Sequence, residues 1–165
     1  MGPQAVRLRA PQHHVSPRAK WYWALMGLRI WIVLGIAQTI WWLNDHSDAA
    51  ARHIVLAIVI LAMIGYLALM PQWRYRVHRW EVTGEAVYTQ TGWVTVERRI
   101  APISRIQTVD TERGPIEQLF GLANVTVTTA SAAGPLRIHG LRRVDADDLV
   151  EHLTATTQAT TGDAT

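Results

Sequence analysis

Histidines are the side chains of this chain best suited to metal binding or proton transfer, but their spacing matches neither use. None of the seven stands in an HExxH motif, in a pair four residues apart, or near carboxylates at metal-ligand spacing. The chain has no cysteine, which excludes disulfides, cysteine-ligated zinc and thiol catalysis. We therefore predict no metal, no cofactor and no catalytic residue, and hence no enzymatic activity. The histidines are His13, His14, His46, His53, His78, His139 and His152.

Arginines offer a second candidate chemistry, the binding of anionic groups. Close to the anionic headgroups of a membrane, each Lys or Arg side chain contributes about 1 kcal/mol of attraction to the membrane surface. Acidic residues such as Glu97, Asp110 and Glu112 interleave with these arginines, so a solvated surface of mixed charge stays open as the alternative. The net charge of +3 does not argue for nucleic acid as a partner. The arginines of the predicted lipid-facing patch are Arg98, Arg99, Arg105 and Arg113.

Two apolar stretches, Tyr22–Leu43 and Ile54–Met70, predict a transmembrane hairpin. The second stretch carries no charge but spans only about 25 Å as a helix, so residues 49–51 are expected to complete a crossing of roughly 30 Å. The first stretch contains Arg29, and two interpretations stay open for it. Its side chain either extends to the near interface or makes a polar contact with the second helix or a partner.

Aromatic and basic residues predict where the hairpin meets the two faces of the bilayer. Tryptophans cluster at the helix ends, where an indole ring is half buried and its N–H stays wet. Lys and Arg are concentrated before the first helix and after the second, whereas the connecting loop has only Arg52. This asymmetry predicts a multi-pass protein of the inner (plasma) membrane with both termini in the cytoplasm. The predicted interface anchors are Trp21, Trp23, Arg29, Trp41, Trp42 and Trp73.

A cleaved signal peptide is the rival interpretation of the first helix, because Ala49–Ala51 resembles a cleavage site. The apolar stretch is longer than the 7–15 residues typical of a signal peptide, so we favour the hairpin. The predicted organisation follows from that choice. It comprises a disordered basic cytoplasmic arm (1–20), the hairpin (21–71, helices at about 22–43 and 50–70), a cytoplasmic domain (73–157) and a disordered tail (158–165).

Beyond the hairpin, the apolar period becomes two, which predicts antiparallel strands. Alternation occurs at Val94/Val96, at Val125/Val127 and at Leu136/Ile138. A longer strand is predicted within Arg74–Val82, and shorter ones at Ala86–Gln90 and Arg105–Asp110. Asp145 is predicted to cap a final amphipathic helix of about a dozen residues, with Leu149, Val150 and Leu153 on its apolar face. Together these elements predict an α+β fold, in which a small bent sheet or open barrel is covered by a C-terminal helix.

The segment Pro102–Ala132 resembles the bacterial membrane-anchored pleckstrin-homology-like (PH-like) family, the YdbS/YdbT-like proteins. The matching pieces are Ile106-Gln107 with Val109, Gly114-Pro115 followed by Leu119–Leu122, and the strand end Val127–Ala130. The resemblance implies two membrane helices followed by a seven-stranded antiparallel PH-like sandwich or open barrel, capped by a helix. Its near-orthogonal sheets would hold a structural motif made of Gly114, Pro115, Leu119, Phe120, Gly121 and Leu122. Of these, Leu119, Phe120 and Leu122 are expected to fill the core, and Gly121 to end a short helix.

The resemblance also implies a function. It implies a non-enzymatic membrane protein whose cytoplasmic domain is a protein-interaction or scaffold module, paired with a related PH-like membrane protein, in envelope or membrane-stress physiology. The alternative is a sensor of anionic lipid headgroups that uses the arginine patch. The chain lacks the Lys/Arg cluster that phosphoinositide-binding PH domains carry at their first hairpin, having Thr83–Ala86 there instead. Expected partners are the bilayer, a membrane protein of the same family or a second copy of the chain.

Overall fold

The computed structural model describes residues 10–44, 49–131 and 134–162. Within these ranges the chain folds into two long apolar helices, two antiparallel sheets and a C-terminal helix. The sheets do not close into a barrel, since each keeps its own edge strands. The predicted α+β class, with a membrane hairpin followed by a PH-like arrangement of strands and one capping helix, is confirmed.

The two long helices are α1 (Ala19–Asn44) and α2 (Ala49–Val77). Each is apolar and long enough to cross a membrane, and only 11% of each most apolar window is buried by the protein itself. Helix α2 continues through Pro71 to Val77, so the strand predicted from Arg74 is wrong in its first half. Arg74 and Arg76 lie in the last turn, where positive charge is stabilised by the helix dipole. The predicted domain boundary at residue 73 therefore falls inside a continuous helix.

The N-terminal arm is ordered where the structure describes it, so the prediction of disorder is wrong for residues 10–20. His13–His14 forms strand β1, and Pro11, Val15 and Ser16 are buried. No local apolar period predicts that the arm is ordered, because the arm is held by contacts with residues that follow the hairpin. Residues 1–9 of the predicted arm lie outside the described ranges.

Seven strands form the two sheets, and one of them precedes the membrane helices. The first sheet has the order β1-β2-β3-β4 and the second the order β5-β6-β7, with every neighbouring pair antiparallel. A short 3₁₀ helix, Ile103–Arg105, connects the sheets. The strands after α2 are β2 (Arg79–Val82), β3 (Ala86–Gly92), β4 (Val96–Pro102), β5 (Ile106–Glu112), β6 (Leu122–Thr129) and β7 (Leu136–Arg142).

The core lies between the sheets and is built as the period of two predicts for β6 and β7. Val125, Val127, Leu136 and Ile138 are all buried. The prediction for Val94/Val96 is wrong, because Val94 is 77% exposed and belongs to the turn before β4. The same alternation thus marks a core strand in one place and the tip of a hairpin in another.

Helix α3 (Pro115–Phe120) begins after Gly114 and ends at Gly121, as the motif predicts. Gly121 has φ of 66°, a left-handed conformation that favours glycine. Leu122 is fully buried, but Leu119 is 79% exposed and Phe120 is half-buried against Tyr22. The prediction that all three apolar side chains fill the core is therefore wrong for Leu119. In so short a helix, only the side facing β6 and α1 finds a partner.

Helix α4 (Arg143–Gly162) begins earlier and is longer than predicted. Asp145 lies in its first turn rather than at the cap, and it accepts hydrogen bonds of 2.8 and 2.6 Å from Arg142. The predicted apolar face is confirmed, with Leu149 and Leu153 buried and Val150 packed beside them. The tail predicted to be disordered is helical as far as residue 162, and residues 163–165 lie outside the described ranges.

Helix α1 docks onto β7 at a glycine. Gly140 has φ of 77°, and its carbonyl accepts a 2.9 Å hydrogen bond from the Ser16 amide. A Cβ at this position would lie 2.9 Å from Ala19 Cβ and 3.7 Å from the Trp23 ring. Opposite Gly140, the β6–β7 register shifts, and Asn124 Oδ1 accepts a 3.0 Å hydrogen bond from the Gly140 amide. Only glycine meets both the conformational and the spatial requirement of this contact.

Replacing this glycine should loosen the junction between the hairpin and the domain. Gly134→Ala is the matched control, because Gly134 also has φ of 77° but has no neighbour within 4 Å of a Cβ. Backbone strain alone should lower the stability of Gly134→Ala by about 1 kcal/mol. Gly140→Ala should lose about 1–3 kcal/mol more, since the added methyl group presses on Ala19. Thermal unfolding of the full chain in detergent measures both, and equal losses would contradict a close packing of α1 on β7.

Candidate functional site

The junction between the membrane helices and the sheets is centred on Trp23. This indole is 2% exposed, its ring centroid lies 4.8 Å from that of His78, and the Arg74 guanidinium lies 4.6 Å above it. The prediction that Trp23 is a membrane-interface anchor is therefore wrong. Helix α1 begins three residues before the predicted span, and its first turns pack on the domain instead of facing lipid.

His78 is the buried polar group of this junction and was missed by the sequence analysis. It is 2% exposed, follows α2 directly, and its Nδ1 lies 2.8 Å from the Arg74 carbonyl, to which a protonated Nδ1 donates. Burial, reinforced by the charge of Arg74, lowers the pKa of His78 to about 4. The imidazole is thus neutral at physiological pH. One histidine after an apolar stretch has no sequence pattern that distinguishes it from a surface residue.

Beside the junction, a polar pocket of about 340 Å³ opens between α1, α2 and the β6–β7 sheet. The Tyr22 hydroxyl donates a 2.7 Å hydrogen bond to Glu117 Oε1, and the Asn124 amide lies 3.5 Å from the same oxygen. The hydrogen bond from Tyr22 is the main reason that the pKa of Glu117 is lowered, so this carboxylate is ionised. The pocket is lined by Tyr22, Trp23, Met26, Arg29, Arg74, Glu117, Asn124 and His139.

The pocket combines an ionised carboxylate with a neutral histidine. Burial, followed by the charges of Arg74 and Arg137, lowers the pKa of His139, so this histidine is neutral beside the ionised Glu117. The pocket holds no serine, threonine or lysine that could act as a nucleophile. Nowhere in the described ranges do three His, Asp or Glu side chains come close enough to hold a metal ion.

Arg29 lines this pocket although it lies well inside α1. Its Nε donates a 3.1 Å hydrogen bond to the Met26 carbonyl, so the side chain turns back along the helix toward the domain. This orientation is that of the first interpretation, a side chain reaching for the near interface. Arg74 of α2 lines the same pocket, which places the two guanidinium groups around one opening.

The four arginines of the predicted lipid-facing patch do not form one surface. Arg98 and Arg99 are neighbours on β4, where Arg98 donates to Gln90 and Arg99 pairs with Glu97 at 2.8 Å. Arg105 precedes β5 and Arg113 follows it, so the seven-residue strand separates them by about 25 Å. The structure thus brings together two of the four residues.

The remaining predicted anchors lie at the two ends of the helical hairpin. Trp21 (71% exposed) and Trp73 (54% exposed) are at the domain end, and Trp41 and Trp42 at the loop end. Trp73 Nε1 donates a 2.6 Å hydrogen bond to the carbonyl of Trp93, which lies at the tip of the β3–β4 hairpin. The Trp93 ring in turn lies 6.2 Å from Tyr66, a residue of the predicted second span.

This geometry places the β3–β4 tip beside the membrane segment of α2. Trp93 is 46% exposed, and its neighbour Val94 is also exposed. An exposed Trp-Val pair at the level of Tyr66 is suited to the headgroup region of a bilayer. The sequence analysis assigned Val94 to a strand and so missed this contact, although an apolar pair directly after Gly92 was the available signal.

Within the described ranges, β4 ends the first sheet and pairs only with β3, so its outer edge is open. The Ile103 amide donates a 2.9 Å hydrogen bond to the Glu85 carbonyl. Because hydrogen-bonded pairs alternate along an antiparallel ladder, residues 101, 99 and 97 of β4 also bond to β3. By this alternation, the backbone N–H and C=O groups of Arg98 and Ile100 point away from β3. A groove of about 360 Å³ follows β4 residues 97–101 and is bounded on its other side by Thr129, Ser131, Gly134 and Leu136.

Comparison with known proteins gives two matches. The family model described as "Bacterial PH domain" matches residues 23–157, a range that begins within α1 and so includes both membrane helices. The "UPF0699 transmembrane protein YdbS" of Bacillus subtilis (strain 168) is 28% identical over 156 residues, covering 93% of this chain and 97% of that protein. The resemblance drawn from Pro102–Ala132 is thereby confirmed. No solved structure matches the chain.

The low pKa of His78 makes the stability of the junction depend on pH. The folded state holds this imidazole neutral down to about pH 4, whereas an unfolded histidine binds a proton near its ordinary value of 6.5. Stability is therefore complete above pH 6.5 and falls as the pH drops from 6.5 toward 4. Between pH 7 and pH 5 the expected loss from this residue is about 2 kcal/mol. Denaturant unfolding of the full chain at both pH values should show it.

His78→Gln should remove most of this pH-dependent loss, since glutamine does not titrate. The same change at His152, an exposed histidine of α4, is the control and should preserve the wild-type difference. An unchanged pH dependence in His78→Gln would show that another group titrates in this range.

Proposed function

The chain belongs to the bacterial PH domain family, and we propose that its domain is a protein-interaction or scaffold module held at the inner membrane. The hairpin makes it a membrane protein, and its near-full-length relative is named a transmembrane protein. The proposed partner is another membrane protein with a PH-like domain. The family resemblance is also the support for a role in envelope or membrane-stress physiology.

The open edge of β4 is the observation that carries this proposal. Strand addition requires unpaired backbone groups along an edge and a groove that accepts alternate side chains of the incoming strand. Ile100 supplies backbone groups that face outward from the sheet, and the adjoining groove follows five consecutive residues of β4. The Arg99 side chain donates a 2.7 Å hydrogen bond to the Pro135 carbonyl and so connects β4 to the segment before β7.

The position of β4 relative to the bilayer supports a partner that is itself held in the membrane. Helix α2 passes without interruption from the membrane segment to Val77, and β2 begins two residues later. The β3–β4 tip contacts Trp73, so β4 starts close to the bilayer surface. With no linker to allow a search of the cytoplasm, the edge is presented to neighbours in the same membrane.

The alternative, a headgroup sensor that uses the arginine patch, has less support from the geometry. Arg105 and Arg113 lie at opposite ends of β5, and Arg99 is engaged with Glu97. We also propose that the protein is not an enzyme. The support is that Glu117, the single carboxylate that lines the polar pocket, is hydrogen-bonded by Tyr22 and Asn124, and that no serine, threonine or lysine lines this pocket.

Site-specific crosslinking in the native host tests the β4 interface. A photo-reactive residue in place of Ile100 should crosslink to a membrane protein that carries a bacterial PH domain, identified by mass spectrometry. Arg98→Pro should reduce this product at least tenfold, because proline removes an outward N–H while the bonds to β3 remain. Arg98→Gln, which keeps the N–H, is the matched control and should retain the product.

A photo-reactive residue at the exposed Glu151 of α4 gives the background level. If position 100 yields no more product than position 151, or if Arg98→Pro leaves the product unchanged, β4 is not the interface. Thermal unfolding of both Arg98 variants in detergent establishes that each is folded.

Orientation is a second testable part of the proposal. The β1–β2 pairing, His13 with Trp80 and His14 with Arg79, requires the arm and the domain to lie on the same side of the membrane. We propose that this side is the cytoplasm, because the arm and the end of α2 carry the excess of Lys and Arg.

Reporter fusions identify the side directly. A reporter active only in the cytoplasm should be active after Thr165 and inactive when inserted between Asn44 and Ala49. A reporter active only outside the cytoplasm should give the opposite pattern. Activity of the outside reporter after Thr165 would reverse the proposed topology.

A further inference from the structure

The polar pocket at the junction continues into an apolar groove along α1. Met26 and Arg29 line both, so the two openings are contiguous. The groove has a volume of about 440 Å³ and is lined beyond these residues by Ile30, Val33 and Leu34. A charged pocket beside an apolar groove matches an amphiphile with one polar and one hydrocarbon end.

The side chains that line the pocket carry one more positive than negative charge, so the pocket is suited to one bound anion. Arg29 and Arg74 form no ion pair with a carboxylate of the described ranges, and Arg74 is partly buried against Trp23. A partly buried cation without a counter-charge is costly. The single carboxylate of the pocket, Glu117, accepts its hydrogen bonds from Tyr22 and Asn124. Two guanidinium groups and one carboxylate leave one positive charge, which a phosphodiester would neutralise.

The depth of the site fits a lipid. A Cβ on Gly27 would lie 2.8 Å from the Tyr66 ring and 3.4 Å from Met70, so this turn of α1 is level with the domain-side end of the second apolar stretch. The Arg29 backbone follows half a turn deeper, but its side chain turns back toward the domain and so brings the guanidinium to the level expected for phosphate groups. The groove of Ile30, Val33 and Leu34 then runs along α1 into the hydrocarbon region.

We propose that this pocket and groove bind one anionic phospholipid. Its phosphate lies between Arg29 and Arg74, and one acyl chain lies along Ile30, Val33 and Leu34. The ionised Glu117 favours a headgroup that can donate a hydrogen bond, such as the glycerol hydroxyls of phosphatidylglycerol. The site differs from the predicted arginine patch on β4 and β5, and it does not depend on the protein interface at β4.

Native mass spectrometry of the full chain in detergent tests this site with phosphatidylglycerol as the probe. The wild type should retain one molecule of phosphatidylglycerol and clearly less phosphatidylcholine of the same acyl composition. Arg29→Gln should lower the affinity for phosphatidylglycerol about fivefold or more, as expected for one lost cation beside a phosphate. Arg76→Gln is the matched control, since Arg76 is an exposed α2 cation half a turn from Arg74 that lines a different groove. This variant should retain wild-type affinity.

Val33→Trp separates a bound lipid from a bound phosphate. The larger side chain should block the groove and reduce lipid retention, although both arginines stay in place. Excess inorganic phosphate should not displace the lipid from the wild type. The proposal is overturned by equal retention of the two lipids, by equal effects of Arg29→Gln and Arg76→Gln, by full retention in Val33→Trp, or by displacement with phosphate. Unchanged thermal unfolding of each variant without added lipid shows that the fold is intact.

Discussion

The packing of Trp23 at the base of the sheets is the contact on which the relation between membrane helices and domain depends. One indole touches Arg74 of α2 and His78 at the start of the domain, and it approaches Gly140 of β7. Three elements that are distant in sequence therefore meet at one side chain. Burial of a tryptophan is worth about 3–5 kcal/mol relative to alanine, a large share of the stability of a small domain. The neutral His78 allows this contact to form without a buried charge beside Arg74.

This junction makes the hairpin and the domain a single body with a defined orientation. The β3–β4 tip is held against α2, β4 begins at that tip, and the polar pocket lies between α1, α2 and the β6–β7 sheet. The surfaces proposed for protein and for lipid are therefore separate, one along a sheet edge and the other between helices.

The parts of the fold that depend on local pattern could be predicted from the sequence, and the parts that depend on distant contacts could not. Val125 and Val127 alternate because one face of β6 is buried, and Gly121 ends α3 because it adopts positive φ. Partners far along the chain determine the burial of Trp23 and His78 and the formation of strand His13–His14. No residue spacing in the sequence predicts these contacts. Arg29 was visible as an anomaly in an apolar helix, but only the structure shows that Arg74 lines the same pocket.

The pairing of β1 with β2 has a consequence for biosynthesis. The segment around His13 leaves the ribosome first, but its partner Trp80 is made only after both membrane helices. Gly140, which binds Ser16, follows later still. The nascent arm therefore remains unpaired while both membrane helices are made, and β2 exposes an open edge until the arm pairs with it. The β1–β2 pair forms only when the arm and the domain lie on the same side of the membrane. A complete first sheet therefore requires that the hairpin has inserted with both of its ends on one side.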